Sequence, residues 1–325
     1  MSAWTRGEPM HPAASVILFT TASGVGYGIL SLAPLLVAFG ILPDEDRWLG
    51  GALMLSALGL VTVGLLSSTF HLGHPERAWR ALSQWKSSWL SREGVMAILS
   101  YPPTLAYTYA WVSLGSVDGP WVWAGFATVL TALGTMFTTG MIYRSLKPVP
   151  AWATDWTVTG YLTLGPLTGL AVIIAIASGF GLHPVRFQAV AIVFVLAAAI
   201  AKNAYWARLQ AAWDDHAQNA GAAIASPGNT VRSLEWPHTE ANYVLKEMGY
   251  GVARKHAEKL RRITRNLLLV APAIVFCLLP SLLPLPYLIW AVIPGAVLTL
   301  AGVAIERWLF FAEAKHVVSL YYGVE

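Results

Sequence analysis

Charge is scarce in this 325-residue chain: 12% of residues are Asp, Glu, Lys or Arg, against 56% hydrophobic, and the mean hydropathy is +0.56. That is about half the charge of an average soluble domain, which argues against a water-soluble globule. Cysteine is scarcer still. Cys277 stands alone inside an apolar run, so the chain cannot build a disulfide framework, a cysteine-ligated iron–sulfur cluster or a structural zinc site by itself. Histidine is missing from the places where a b-type haem needs it. His11, His71, His74, His183, His216, His238, His256 and His316 all fall in tails, loops or span edges, a pattern that argues against haem. A cleavable signal peptide is not evident either: the first apolar run follows a barely charged tail, is too long for an h-region and lacks a convincing cleavage site. It reads as the first membrane helix.

What is present is apolar sequence in runs close to the ~20 residues that cross ~30 Å of hydrocarbon, with Trp and Tyr often near the run ends. The expected fold is all-α, a polytopic bundle of eight spans in one membrane-anchor domain over residues 1–325. The spans fall at about 14–39, 49–69, 94–114, 120–142, 157–178, 185–206, 267–283 and 285–310. Pro280, Pro284 and Pro286 crowd the last turn, so the final pair can also be read as one broken helix.

Basic residues concentrate on the cytoplasmic side of short loops. With eight spans, 19 of the 21 Lys and Arg lie on one side, and only Arg47 and Arg186 on the other. Both termini are therefore expected in the cytoplasm. The long connection at 207–266 is the one segment of soluble character. Its second half, about 241–265, carries Val244, Met248 and Val252 at helical spacing and Glu258/Arg262 at i, i+4, and predicts a surface helix. It can dock a partner, lie on anionic lipid, or simply be a solvated basic loop. The first span holds Ser23-Gly24-Val25-Gly26-Tyr27-Gly28. No strand precedes it and its spacing is wrong for a dinucleotide fingerprint, so close helix packing is the expected role.

The densest ionisable and aromatic set lies between the second and third spans: Phe70-His71-Leu72-Gly73-His74-Pro75-Glu76-Arg77-Ala78-Trp79, then Trp85, Trp89, Ser91, Arg92 and Glu93. A histidine ends one helix and a carboxylate starts the next, at one interfacial level that a quinone headgroup can reach while its tail stays in lipid. Quinone chemistry moves two electrons and two protons. It suits an imidazole that donates to a carbonyl oxygen and an acid that exchanges protons with water. The competing reading makes His71 and Glu93 helix caps and the arginines topology signals.

His71-Leu72-Gly73-x-Pro75-x-Arg77-Ala78, followed by Ser91-x-Glu93, resembles the membrane anchor subunits of the dimethyl sulfoxide reductase family. The likeness continues in Met141-Ile142-Tyr143, Val149-Pro150-x-Trp152 with Trp156, and Glu306-Arg307-Trp308-Leu309-Phe310-Phe311. The resemblance implies an anchor without haem or iron–sulfur cluster of its own. Such an anchor holds a molybdopterin catalytic subunit and an iron–sulfur subunit at the bacterial inner membrane and exchanges electrons with ubiquinone or menaquinone. It also implies that His71 and Glu93 exchange protons with the quinone, and Arg77 is expected to help bind it or to dock the iron–sulfur partner.

Two features separate the chain from the best-known reductase anchors. The charge count puts the histidine loop in the cytoplasm, and Glu247-Met248-Gly249-Tyr250 through His256, with Lys315-His316-Val317-Val318, resembles the related anchors of cytoplasmic sulfite-oxidising complexes. The expectation is therefore a quinone-reducing subunit of a sulfite dehydrogenase with both partners on the cytoplasmic face. The alternative is a quinol-oxidising anchor of a sulfoxide or polysulfide reductase. A transporter, from another class, calls for ionisable residues at mid-membrane depth or paired broken helices, and the sequence shows no evident intramembrane charge.

Overall fold

The computed structural model describes residues 14–69, 75–222 and 256–317. Eight long helical rods account for nearly all of them. They are α1 (Ala14–Ala38), α2 (Arg47–Thr69), α3 (Trp89–Tyr109, running on through a wider turn at Ala110–Leu114), α4 (Pro120–Arg144), α5 (Asp155–Gly179), α6 (Gln188–Ala222), α7 (Ala257–Ser281) and α8 (Leu285–Ala312). A 3₁₀ segment, Pro75–Gln84, lies between α2 and α3.

Seven of the rods are long and apolar enough to cross a membrane. The exception is α3. It begins with Arg92 and Glu93 and carries Pro102 and Pro103 in mid-course, so it has the length of a span but not the hydropathy.

Long-range contacts show that the rods alternate in direction. At one end Ser67 Oγ donates to Ser15 O (2.7 Å), Trp152 Nε1 to Phe310 O (2.9 Å) and Val317 N to Pro148 O (2.9 Å). At the other, Arg47 reaches Leu114 O (3.3 Å) and Gln188 Nε2 donates to Cys277 O (2.6 Å). The first we term the basic end, since among the described residues every Lys and Arg except Arg47 and Arg186 belongs to its side. The second is the far end.

Two helices run past their expected limits at the basic end. The helix α6 continues beyond residue 206 to Ala222, and α7 begins at Ala257 rather than near 267. Hydropathy marks where a span ends, but the Ala-rich stretch after Trp206 keeps its helix propensity in water. Of the expected surface helix, only Ala257–Arg265 lies in the described residues, as the first turns of α7. Val244, Met248 and Val252 lie outside them. The proline-rich turn separates two antiparallel helices rather than kinking one: a side chain at Gly295 would strike Val275, and one at Gly302 would strike Leu267 and the Leu268 backbone.

The most buried rod is α1, wedged between α2 and α5. A Cβ on Gly26 would come within 2.7 Å of Ala57 O on α2, and one on Gly28 would run into Gly165 O on α5. The glycine run is a packing device, and it serves two neighbours at once. Outward-facing Leu55, Val63, Leu130, Val193 and Ile200 are exposed, as lipid contact requires, and Trp48, Trp123, Tyr287 and Trp290 ring the far end. Buried hydroxyls such as those of Ser23, Thr108, Thr168 and Thr299 donate to carbonyls one turn back, which satisfies them without water.

Candidate functional site

Ser88 caps α3 in an extended conformation (φ −109°, ψ 127°), its side chain accepting from Ser91 N at 3.4 Å. The cap fixes which residues of the first turns face inward. Arg92 stays outside: its guanidinium lies over the Trp89 ring at 4.2 Å and donates to Trp85 O (2.9 Å) and Lys86 O (2.6 Å), clasping the turn that precedes the helix. Ser91 and Glu93 turn into the bundle and are buried, Glu93 to 5% exposure. The 3₁₀ segment covers them closely, because Gly94 leaves room where a Cβ would lie 2.9 Å from Leu82.

Within the described residues the Glu93 carboxyl meets Thr139 of α4, whose Oγ1 also lies 2.9 Å from Thr135 O. A hydroxyl has one proton to give. When Glu93 is ionised, Thr139 donates to it; when Glu93 is protonated, the carboxyl donates to Thr139 and the hydroxyl turns to the Thr135 carbonyl. The pair therefore keeps its hydrogen bond in both charge states.

One turn beyond Thr139, Tyr143 enters an aromatic cluster that joins three stretches far apart in sequence. Its ring is 5.4 Å from those of Trp152, Phe310 and Phe311, and it stacks on Tyr161 at 5.9 Å with an interplanar angle of 9°. Trp152 stacks on Phe310 at 5.5 Å. Behind these rings lies a buried ion triad. Lys202 Nζ is 2.5 Å from Glu306 Oε1, and Arg307 Nε is 2.9 Å from Glu306 Oε2. All three residues are at most 4% exposed. The Arg307 guanidinium sits 4.0 Å from the centre of the Tyr161 ring, and the Lys202 ammonium 4.1 Å from that of Tyr205. Taking such ions out of water costs several kcal/mol each, which the pairing and the ring faces offset.

Of the three expected site residues, only Glu93 is placed with its side chain. His71 lies outside the described residues, and Arg77 falls in the 3₁₀ segment Pro75–Gln84, where its side chain is not described. Charges do enter the helices near one end of the bundle, which the sequence reading does not single out. Lys202 and Arg307, counted as topology signals, are spent on a buried triad, and Glu306 completes it. The signal was available, since all three lie inside the expected spans 185–206 and 285–310, where an unpaired charge is prohibitively costly. The triad nevertheless does not sit at mid-membrane depth. Glu306 is six residues from the end of α8, about 9 Å at 1.5 Å per residue, on the level of the Glu93 end of the bundle. Thr139 and Tyr161 were the other omissions; a threonine and a tyrosine in apolar helices carry no signal of their own until their partners are known.

The family model described as DMSO reductase anchor subunit (DmsC) matches residues 8–323. Over 329 aligned residues, 96% of this chain and 99% of the relative, the sequence is 32% identical to a sulfite dehydrogenase subunit of Allochromatium vinosum. No solved structure matches the chain. The residues of the aromatic cluster and of the ion triad all lie within the matched region, and seven of the rods are fit to cross a bilayer. The chain belongs to the DMSO reductase anchor subunit family, and it is a multi-pass membrane protein.

Proposed function

We propose that this chain is the quinone-binding anchor of a molybdopterin and iron–sulfur oxidoreductase in a bacterial inner membrane, and that it passes electrons from sulfite oxidation to membrane quinone. The observation that carries the reading is Glu93, a buried carboxyl at the end of the bundle whose partner, Thr139, serves both of its protonation states. Quinone reduction consumes two electrons and two protons, and such a residue is built to hand over a proton and recover it. The donor chemistry fits a quinone oxygen, which accepts from a protonated carboxyl and, once reduced, requires a proton. In this reading His71 donates to the other quinone oxygen and Arg77 helps bind the headgroup. Sulfite and water give sulfate, two protons and two electrons in the catalytic partner, and the clusters of a second partner carry the electrons to the membrane. Sulfite as the substrate rests on the similarity to the sulfite dehydrogenase subunit of Allochromatium vinosum.

The orientation belongs to the same reading. In it α3 is an eighth span, and both termini, the partner proteins and the Glu93 level are on the cytoplasmic side, a reading supported by the distribution of basic residues along the sequence. A reporter active only in the periplasm, fused after residue 325, should stay silent; activity there would reverse the orientation.

The deciding experiment uses the purified complex with Glu93→Gln and, separately, His71→Ala. Sulfite-dependent reduction of a soluble quinone analogue should be lost, while sulfite oxidation continues with an artificial acceptor that bypasses the membrane anchor. Undiminished quinone reduction in both variants would overturn the assignment.

A further inference from the structure

The ion triad holds two cations and one anion, so it carries a surplus positive charge inside the bundle. Among the described residues the charged groups near it are few. From α7 Arg261 reaches Glu313, just past α8, at 2.5 Å, a pair that is neutral in sum. Arg265 of α7, exposed, lies over the Trp206 ring that Lys202 also faces. Otherwise α4, α5 and α6 present Tyr143, Tyr161 and Tyr205, while Tyr27 of α1 meets Ser100 of α3, the helix that carries Glu93. Between Glu93 and the triad lie Thr139, which bonds to Glu93, Tyr143 one turn on in α4, Tyr161 stacked on Tyr143, and Arg307 4.0 Å from the centre of the Tyr161 ring. A cavity of about 20 Å³ borders Arg307 and Tyr161, with Thr21, Met136 and Thr168 among the other residues that line it. The Tyr161 hydroxyl and Thr21 Oγ1 have no hydrogen-bond partner there, and the space suits one water.

We propose that the Lys202–Glu306–Arg307 triad is the counter-charge of Glu93: its surplus positive charge, transmitted past Tyr161 and Tyr143 and a water held between Arg307 and α1, sets whether the buried carboxyl carries a proton. Formal charges then balance when Glu93 is ionised. When Glu93 takes up a proton the surplus reappears on the triad, which limits how long the proton stays and drives its release. Lys202 and Arg307 act through Glu93 and are positioning residues. The proposal deepens the quinone reading, but it is tested on Glu93 itself.

The test follows the C=O stretch of the protonated carboxyl by infrared difference spectroscopy on the full-length chain in lipid nanodiscs, as pH is varied without quinone. The band is assigned by its loss in Glu93→Gln. Lys202→Met removes a positive charge, so Glu93 should keep its proton to higher pH, by on the order of one pH unit. Glu306→Gln adds to the surplus and should move the midpoint down. Either single variant decides the matter if the other fails to accumulate. The double variant, Lys202→Met with Glu306→Gln, restores the original sum and should return the midpoint to the wild-type position, whereas a merely structural effect would persist or grow. A midpoint unmoved in the single variants, or displaced in the same direction in both, overturns the proposal. Opposite displacements together with normal quinone reduction by Glu93→Gln complexes would uphold the counter-charge and remove the quinone role.

Discussion

The two ends of this bundle are made of the same helices and differ in where they keep their charges. At the far end Asp46 caps α2, Arg47 reaches the Leu114 carbonyl and Arg186 the Ile41 carbonyl, all at the surface, while the interior is apolar: Leu49, Leu53, Trp111, Ile173 and Ile174 are fully buried. At the basic end the surface is charged as well, but Glu93, Lys202, Glu306 and Arg307 are carried inside. The far end shows what structure alone requires, which is caps and surface anchors. The excess at the basic end is what needs another explanation, because buried ions are poor stabilisers for their cost.

Four substitutions test that contrast. The largest effect is expected for Glu306→Ala, which leaves Lys202 and Arg307 facing each other without an anion; a loss of about 3–5 kcal/mol should collapse the amount of folded chain in the membrane. Normal accumulation with an unchanged melting temperature would mean the triad is not the tie between α6 and α8. Next comes Glu93→Gln. The amide keeps the shape and a hydrogen bond to Thr139, so thermal stability should change by less than about 1 kcal/mol while quinone turnover falls by roughly 10²-fold or more, the scale of a lost proton-transfer group. A parallel loss of stability would make Glu93 a structural residue like those of the far end. Gly28→Ala should cost about 1–3 kcal/mol, since its methyl would run into the Gly165 backbone, and it should lower the melting temperature without a specific effect on turnover. The smallest effect belongs to Arg47→Ala at the far end, within about 0.5 kcal/mol on stability and with turnover unchanged. A clear loss of turnover there would bring the far end into the chemistry.

Much of this arrangement was legible in the sequence, for identifiable reasons. Apolar runs report spans because the bilayer demands a fixed length of uncharged helix, and seven of the expected eight meet that demand in the structure. The third is blurred by its own site: Arg92, Glu93 and two prolines depress its hydropathy. Glu93 stood out because it sits at a span edge beside Ser91 and Arg92. Thr139 did not, since its relevance depends on α4 lying antiparallel to α3. The triad is invisible to the charge count for a related reason. A charge count treats each Lys and Arg as a separate signal of sidedness, whereas Lys202 and Arg307 are spoken for by Glu306, and Lys202 and Glu306 stand about 100 positions apart, a relation that only packing reveals. The aromatic motifs were read as marks of a family; the structure shows that Tyr143, Trp152 and Phe310 are one contact surface.

The apolar far half gives the buried polar groups a consequence for the cell's energetics. Buried polar groups gathered at one end of a bundle whose other end is apolar inside make a blind alley. Under the proposed function, any proton that reaches Glu93 enters and leaves by the same mouth, and the electrons arrive on that side too. Quinone would then be charged with reducing equivalents without moving charge across the bilayer, so conserving the energy of the oxidation would fall to whichever enzyme oxidises the quinol next.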